Sequence, residues 1–186
     1  MGCNGNSNAC QGSLLCSNNR CVIGRVPTPT PPVPTPTPLT PTPPTSGGGF
    51  FSRKFVLINS RTGKALDVKQ GSCSSGANIH LWDRNDSGAQ VFHYHYDATQ
   101  AIVNVKCNMA IDISASRCNR GTNIQLYRRN GTGAQKFQFY TDQTIRSFAC
   151  NGKALDIYRK YTARGTNIWL YDVNNEWDKK WQYIYV

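Results

Sequence analysis

After Phe50, apolar residues occur in short runs that alternate with polar residues. Examples are Phe55 to Ile58, Ile79 to Trp82 and Phe92 to Tyr96, and Gly, Asn and Ser residues separate these runs. An apolar period of two is typical of strands with one buried face, and turn-forming residues mark the connections between them. No helical spacing is present. The pattern therefore predicts an all-β domain.

The strand pattern repeats three times. The sequence Ala-Leu-Asp-Val at 65–68 returns as Ala-Ile-Asp-Ile at 110–113 and as Ala-Leu-Asp-Ile at 154–157, at offsets of 45 and then 44 residues. A Gly-x-Asn-Ile motif, a Leu-aromatic pair and a closing aromatic residue recur at the same offsets. One repeat cannot bury its apolar face alone, so three should close around a shared core. Three repeats with four short strands each predict a β-trefoil. The predicted repeats span about 50–96, 97–140 and 141–186.

The closing aromatic residues of the three repeats are expected in this shared core. They are Phe92, Phe137 and Trp181. Each ends its repeat within an alternating strand, where the apolar positions face inward.

Two further parts precede the repeats. Residues 1–25 are rich in Gly, Asn and Ser and should form a small cysteine-rich module with two disulfides, although a zinc site is an alternative. Residues 26–49 hold all ten prolines and predict an extended linker to the domain at 50–186. The four cysteines of the module are Cys3, Cys10, Cys16 and Cys21. The linker threonines expected to carry O-linked sugars are Thr28, Thr30, Thr35, Thr37, Thr40, Thr42 and Thr45.

The repeat alignment also predicts how the other four cysteines pair. Cys73 and Cys118 each lie six residues after the aspartate of their repeat, while Cys107 and Cys150 lie just before the aspartate of theirs. Bonds within repeats would pair only Cys107 with Cys118 and would leave Cys73 and Cys150 without equivalent partners. Bonds from each loop to the next repeat give two symmetry-related pairs, Cys73 with Cys107 and Cys118 with Cys150, and we predict these.

Cysteine content and charge indicate the setting of the protein. Eight cysteines in 186 residues are typical of an oxidising compartment, so we expect a secreted, extracellular protein. The net charge is +11, but the basic residues are scattered and accompany no nucleic-acid-binding motif. We therefore expect no nucleic-acid partner. The positive charge favours attraction to anionic glycans or acidic cell surfaces instead. No apolar run is long enough for a membrane span.

The recurring motifs resemble those of the ricin B-chain type of lectin repeat, with its Leu-Asp-Val strand, its Ile-Gln-Leu-Trp strand and its closing Gln-x-Trp. The resemblance covers about residues 54–186. It implies a β-trefoil that binds sugars in shallow pockets, one per repeat, without catalysis, cofactor or metal. The partners it implies are glycans or glycoproteins.

Each implied site combines an aspartate that accepts sugar hydroxyls, an aromatic ring for the C–H face of the sugar, and polar neighbours. In the first repeat the resemblance implies Asp67, His80, Trp82 and Gln90; in the second Asp112, Gln125, Tyr127 and Gln135; in the third Asp156, Trp169 and Tyr171. The family's sugar-binding repeats usually have Asn before the closing Gln, and Ala89, Ala134 and Asp178 stand there instead. Lys179 replaces the closing Gln of the third repeat. We therefore expect weak binding, weakest at the third repeat.

Several of these residues have structural alternatives. The recurrent aspartates can cap turns, and Gln90 and Gln135 can satisfy backbone groups instead of touching a ligand. His93 and His95 alternate on one strand as metal ligands do, but no third ligand is evident. The sequons at Asn85 and Asn130 occupy equivalent positions and should lie on exposed loops that can carry N-linked sugars.

The function predicted from these observations is non-enzymatic. Aspartates in equivalent repeats lie far apart around a threefold axis, so they cannot form the close carboxylate pair of a glycosidase. We expect a secreted lectin or module that binds neutral sugars. The alternative is a structural subunit of an extracellular matrix or filament, in which the trefoil, linker and cysteine-rich module make protein contacts and the chain self-associates.

Overall fold

The computed structural model describes residues 53–186 in full and, before them, the backbone of three short strands at 14–17, 20–23 and 38–39. The chain divides into two units, Met1–Thr35 and Pro36–Val186. In the first unit, β1 (Leu14–Ser17) and β2 (Arg20–Ile23) form an antiparallel hairpin. Two sets of predictions lie outside the residues whose side chains are described: disulfides among Cys3, Cys10, Cys16 and Cys21, and O-linked sugars on Thr28, Thr30, Thr35, Thr37, Thr40, Thr42 and Thr45.

The regular structure described in the second unit consists of short strands and five 3-10 segments, which confirms the all-β prediction. Strand β3 (Pro38–Leu39) lies within the predicted linker and pairs with Phe139 and Tyr140. The first repeat forms β4 (Phe55–Asn59), β5 (Ala65–Val68), β6 (Ala77–Trp82) and β7 (Phe92–Tyr94). The second forms β8 (Ile102–Asn104), β9 (Met109–Ile113), β10 (Thr122–Tyr127) and β11 (Phe137–Tyr140). The third forms β12 (Ile145–Ser147), β13 (Lys153–Ile157), β14 (Ile168–Asp172) and β15 (Trp181–Tyr185).

Antiparallel pairing closes these strands into a β-trefoil. The first strand of the first repeat, β4, pairs with the last strand of the third repeat, β15, from Trp181 opposite Asn59 to Tyr185 opposite Phe55. Strand β10 pairs with both β6 and β14, so the central strands of the three repeats contact one another. The predicted β-trefoil of three repeats is therefore confirmed.

Equivalent positions of the three repeats supply the core. The aliphatic residues that flank each aspartate, and the Ile and Leu of the next strand, are all 0% exposed. The closing aromatic residues Phe92, Phe137 and Trp181 are at most 2% exposed, as predicted. Side chains of similar size at equivalent positions of the three repeats fill one core, which explains the regular spacing of the apolar residues.

Three asparagines of the Gly-x-Asn-Ile motifs link the repeats to one another. Asn78 Nδ2 donates to Asn167 Oδ1 at 2.9 Å, and Asn167 Nδ2 donates to Asn123 Oδ1 at 2.9 Å. Each amide comes from a different repeat. The motif therefore contributes to the assembly of the repeats as well as to the turn.

A tight turn follows each aspartate-bearing strand. The turns are the single 3-10 segments Lys69–Gly71, Ser114–Ser116 and Tyr158–Lys160. Their last two residues have positive φ in every repeat, and Gly71 (φ 59°) is the only glycine among these six residues. Positive φ favours glycine because it has no Cβ. Two further 3-10 segments, Gly133–Gln135 and Trp177–Lys179, precede the closing strands of the second and third repeats.

Two disulfides connect neighbouring repeats. Cys73 is bonded to Cys107 and Cys118 to Cys150, with Cα atoms 5.2 Å apart in both pairs. These are the two pairs that the repeat alignment predicts. Each bond fixes the loop after an aspartate-bearing strand to the entry of the next repeat.

No helix within the described part of the chain is long and apolar enough to cross a membrane.

Candidate functional site

The first-repeat aspartate lies in a buried polar cluster. Strands β5 and β6 place Asp67 opposite His80. Asp67 Oδ1 lies 3.0 Å from His80 Nε2, and Asp67 Oδ2 accepts from Gln90 Nε2 at 2.9 Å. Asp67 is 5% exposed. An ionised carboxylate only accepts hydrogen bonds, so His80 Nε2 carries the hydrogen of that contact.

The structure corrects the assignment of Gln90 as a direct sugar contact. Gln90 is 0% exposed, and its Oε1 accepts from the backbone N–H groups of Asn85 at 2.8 Å and Asp86 at 3.2 Å. Its Nε2 donates to the carbonyl of Asp83 as well as to Asp67. All polar atoms of the Gln90 amide are therefore occupied within the protein. Gln90 holds Asp67 and the loop at 83–90 in place, which is the structural alternative.

Gln135 has the same role in the second repeat, so its assignment as a sugar contact is corrected too. It is 2% exposed, donates to Asp112 Oδ2 at 3.1 Å and to the carbonyl of Arg128 at 2.9 Å, and accepts from the N–H of Asn130 at 3.0 Å. In both repeats the sequon asparagine lies in the loop that the glutamine holds. Asn85 and Asn130 are exposed, as expected.

An open cavity of about 630 Å³ lies over Asp67. His80 and Trp82 line it from β6, and their rings are nearly parallel, with an interplanar angle of 15° and centroids 5.3 Å apart. Trp82 is 37% exposed, unlike the aromatic residues of the core. The lining also includes the turn at 69–71, the loop at 85–89 and Lys106. Asp67, His80 and Trp82 are thus brought together as predicted.

Lys69 and Lys106 are site residues that sequence reasoning missed. Lys106 belongs to the second repeat and donates from Nζ to the carbonyl of Gly71 at 2.8 Å. The feature of the sequence that points to Lys106 is its position directly before Cys107. A bond from Cys107 to Cys73, six residues after Asp67, brings residue 106 to the first-repeat site.

The second repeat preserves the polar cluster, and its turn Ser114–Ser116 contains no charged residue. Gln125 Nε2 donates to Asp112 Oδ1 at 3.0 Å, as His80 does to Asp67. Tyr127 is half-buried, and Arg128 lies 5.9 Å above its ring. The equivalent of Lys69 is Ser114. Asp112, Gln125 and Tyr127 are therefore arranged like their first-repeat counterparts.

The third repeat replaces the closing glutamine by a buried cation. Lys179 Nζ forms an ion pair with Asp156 Oδ2, and Trp169 Nε1 donates to Asp156 Oδ1. Asp156 and Lys179 are each 2% exposed. Burial raises the pKa of Asp156 to about 6, while the hydrogen bonds from Lys179 and Trp169 act in the opposite direction. The acceptor charge of this repeat is therefore balanced inside the protein.

The aromatic residues of the third repeat form their own cluster. Trp169 and Tyr171 are nearly parallel, at 21° with centroids 5.2 Å apart, and Trp169 also packs against Tyr158 at 4.6 Å. The indole N–H of Trp169 is already bound to Asp156. Trp169 therefore offers a ring surface but no free donor.

The histidine pair lies apart from these clusters. The rings of His93 and His95 are 4.7 Å apart, and burial is the main cause that lowers the pKa of His93 to about 4. Within the described part of the chain, no group of three or more His, Cys, Asp or Glu side chains could hold a metal ion.

A β-trefoil in which an aspartate and two donors recur in every repeat, with an exposed tryptophan beside the first, defines a carbohydrate-binding module. Two family models agree with this class: residues 98–185 match a ricin-type beta-trefoil lectin domain, and residues 46–127 match a ricin-type beta-trefoil lectin domain-like family. Together the two matches span residues 46–185, and this part of the chain is a ricin-type β-trefoil lectin domain. No curated protein sequence matches it.

Solved structures support the same fold. A designed threefold-symmetric protein, ThreeFoil, has a TM-score of 0.67 at 22% identity, with 72% of this chain and 99% of that chain covered. An exo-beta-1,3-galactanase from Clostridium thermocellum has a TM-score of 0.66 at 29% identity, with 72% and 30% covered. The C-half of an earthworm R-type lectin in complex with GalNAc has a TM-score of 0.63 at 17% identity, with 72% and 99% covered.

Proposed function

We propose that the protein is a secreted, non-catalytic carbohydrate-binding module whose main sugar site is the first repeat. The observation that carries the proposal is the cavity in which Asp67 and the exposed ring of Trp82 lie together. A sugar presents an apolar C–H face and polar hydroxyls. A partly exposed aromatic ring and a fixed acceptor complement these two features.

Asp67 can accept sugar hydroxyls although both of its oxygens are already bound. A carboxylate has about four lone-pair positions, and His80 and Gln90 use one on each oxygen. The two donors also fix the orientation of the carboxylate, so little conformational freedom is lost on binding. Neutral ring hydroxyls are the groups that such an acceptor recognises.

The second repeat should bind more weakly and the third weakest. Asp112 has the same two kinds of donor as Asp67, but its aromatic neighbour Tyr127 is smaller than a tryptophan. In the third repeat, Lys179 already balances the charge of Asp156. A sugar hydroxyl would have to compete with a buried ammonium group.

Relatives of similar fold support sugar recognition and a role within a larger glycan-directed protein. One is an earthworm lectin described in complex with GalNAc, and another is an exo-beta-1,3-galactanase of which this chain covers 30%. The disulfides between repeats favour an oxidising, extracellular setting. Glycans or glycoproteins are the partners we propose.

The test is calorimetric titration of the full chain with galactose, N-acetylgalactosamine and xylose, followed by a glycan array. Trp82→Ala should weaken binding at least fivefold, because stacking on an aromatic ring is lost. Phe148→Ala is the matched control, since Phe148 is 51% exposed and does not line the cavity. Binding that survives Trp82→Ala unchanged, or no binding to any glycan on the array, would refute the proposal.

A further inference from the structure

The mouth of the first-repeat cavity carries an excess of positive charge. Lys69 and Lys106 both line the cavity and are exposed. Asp67 is the only acidic residue of the lining, and it lies at the buried base with His80 and Gln90 bound to it. A ligand in the cavity therefore meets a carboxylate at the base and two ammonium groups at the mouth.

Lys106 is held at this position by three independent contacts. The disulfide between Cys73 and Cys107 fixes its backbone beside the cavity. Its Nζ donates to the carbonyl of Gly71 at 2.8 Å. Its alkyl chain lies against Gly88, where a Cβ would come within 3.1 Å of Lys106 Cβ and Cδ. An ammonium group has three donors, so two remain for a ligand after the contact with Gly71.

The second repeat shows that lysines are not required by the fold at these positions. Ser114 is the equivalent of Lys69. Ala149 is the equivalent of Lys106, because each directly precedes the second cysteine of a disulfide and packs on the same glycine of its repeat, Gly133 or Gly88. The same backbone thus accommodates uncharged residues at both positions. Lys69 and Lys106 can therefore be replaced by the residues that the same backbone holds in the second repeat.

We propose that the first-repeat site selects a sugar residue that carries an anionic substituent, a carboxylate or a sulfate. The ring hydroxyls bind Asp67, the C–H face lies on Trp82, and the anion meets the ammonium groups of Lys69 and Lys106. The inference rests on the proposed sugar binding and adds the chemical class of the ligand. Two solvent-exposed ion pairs correspond to roughly three- to tenfold in Kd at low salt.

The experiment compares galactose, galacturonic acid and galactose 6-sulfate by calorimetric titration of the full chain at low salt and at about 0.5 M NaCl. At least one acidic sugar should bind three- to tenfold more tightly than galactose at low salt, and the difference should shrink at high salt because exposed charges are screened. The two acidic probes distinguish a carboxylate from a sulfate. Either preference supports the proposal.

The variant Lys69→Ser/Lys106→Ala installs the residues of the second repeat. It should lose the preference for acidic sugars over galactose. Lys54→Ala/Lys136→Ala removes the same charge away from the cavity and should keep the preference. If galactose binds as tightly as both acidic sugars, or if the preference survives in the first variant, the anion proposal is wrong while sugar binding stands. If none of the three sugars nor any arrayed glycan binds, both proposals fail.

Discussion

Replacing the buried lysine of the third repeat should destabilise the domain strongly. Asp156, Asp178 and Lys179 are each at most 4% exposed, and Lys179 Nζ contacts Asp156 Oδ2 and lies 3.3 Å from Asp178 Oδ2. Lys179→Gln leaves two buried carboxylates without a cation. Removing one partner of a buried ion pair costs about 3 to 5 kcal/mol. For a domain of this size, that lowers Tm by roughly 10 to 15 °C.

The other repeats provide the substitution that should rescue the loss. Gln90 and Gln135 are each preceded by alanine, and they donate to Asp67 and Asp112 at 2.9 and 3.1 Å. Asp178→Ala/Lys179→Gln recreates that pair in the third repeat and leaves one carboxylate with neutral donors. We expect the double variant to lie within about 1 to 2 kcal/mol of the wild type. Asp178→Ala should therefore recover about 1 to 4 kcal/mol of the loss caused by Lys179→Gln, measured in a double-mutant cycle that includes the Asp178→Ala single variant.

The cycle can be measured by urea denaturation at pH 7.5 and pH 5. Burial raises the pKa of Asp156 to about 6, above its ordinary 3.8, so the folded state binds a proton more tightly than the unfolded state does. Lys179 lowers that pKa, so in Lys179→Gln the folded pKa lies higher still. The penalty of the uncompensated carboxylate is fully present above that folded pKa and fades as pH falls toward 3.8. The gap between Lys179→Gln and wild type should narrow at pH 5. A single variant as stable as wild type, or a double variant as unstable as the single, would refute the charge argument.

Three further predictions concern other parts of the domain. Asn167→Ala removes the hydrogen bonds to Asn78 and Asn123. It should lower the free energy of unfolding, measured by urea denaturation, by about 1 to 3 kcal/mol. A decrease below about 0.5 kcal/mol would show that these bonds do not support the assembly of the repeats. Burial lowers the pKa of His93 to about 4, so the unfolded state binds more protons between pH 6.5 and 4 and stability falls on acidification. His93→Gln should reduce that fall by about 1 to 2 kcal/mol, less than full linkage because the ring is only partly buried; an unchanged pH profile contradicts the assignment. Asn85 and Asn130 should carry N-linked sugar when the chain is secreted from a eukaryotic host, seen as a loss of intact mass after glycosidase treatment, and no change in mass would show that neither sequon is used.

The fold and the disulfides could be predicted because they depend on spacing. Apolar residues at the same offsets in three repeats must face one core, and Phe92, Phe137 and Trp181 are buried accordingly. The pairs Cys73–Cys107 and Cys118–Cys150 follow from the same symmetry. Symmetry relations of this kind are contained in the sequence and need no knowledge of loop shape.

The polar residues of the site depend on loop conformation, and here prediction was less successful. Gln90 was assigned to the sugar because of its place in the motif. In the structure its amide is used by the backbone of the loop at 83–90, a shape that the sequence does not specify. Lys106 was missed for a similar reason, since it is distant from Asp67 along the chain and comes beside it only through the disulfide and the packing on Gly88.

We expect this domain to have fewer sugar sites than aspartate motifs. All three aspartates have both oxygens bound within the protein, so the presence of Asp alone does not distinguish them. The donor at the closing position of each repeat is what distinguishes the three aspartates. Gln90 and Gln135 are neutral and leave the charge of Asp67 and Asp112 available to a hydroxyl, whereas Lys179 balances that of Asp156. A buried lysine at the closing position therefore preserves the fold of a repeat while removing the charge that a ligand would use.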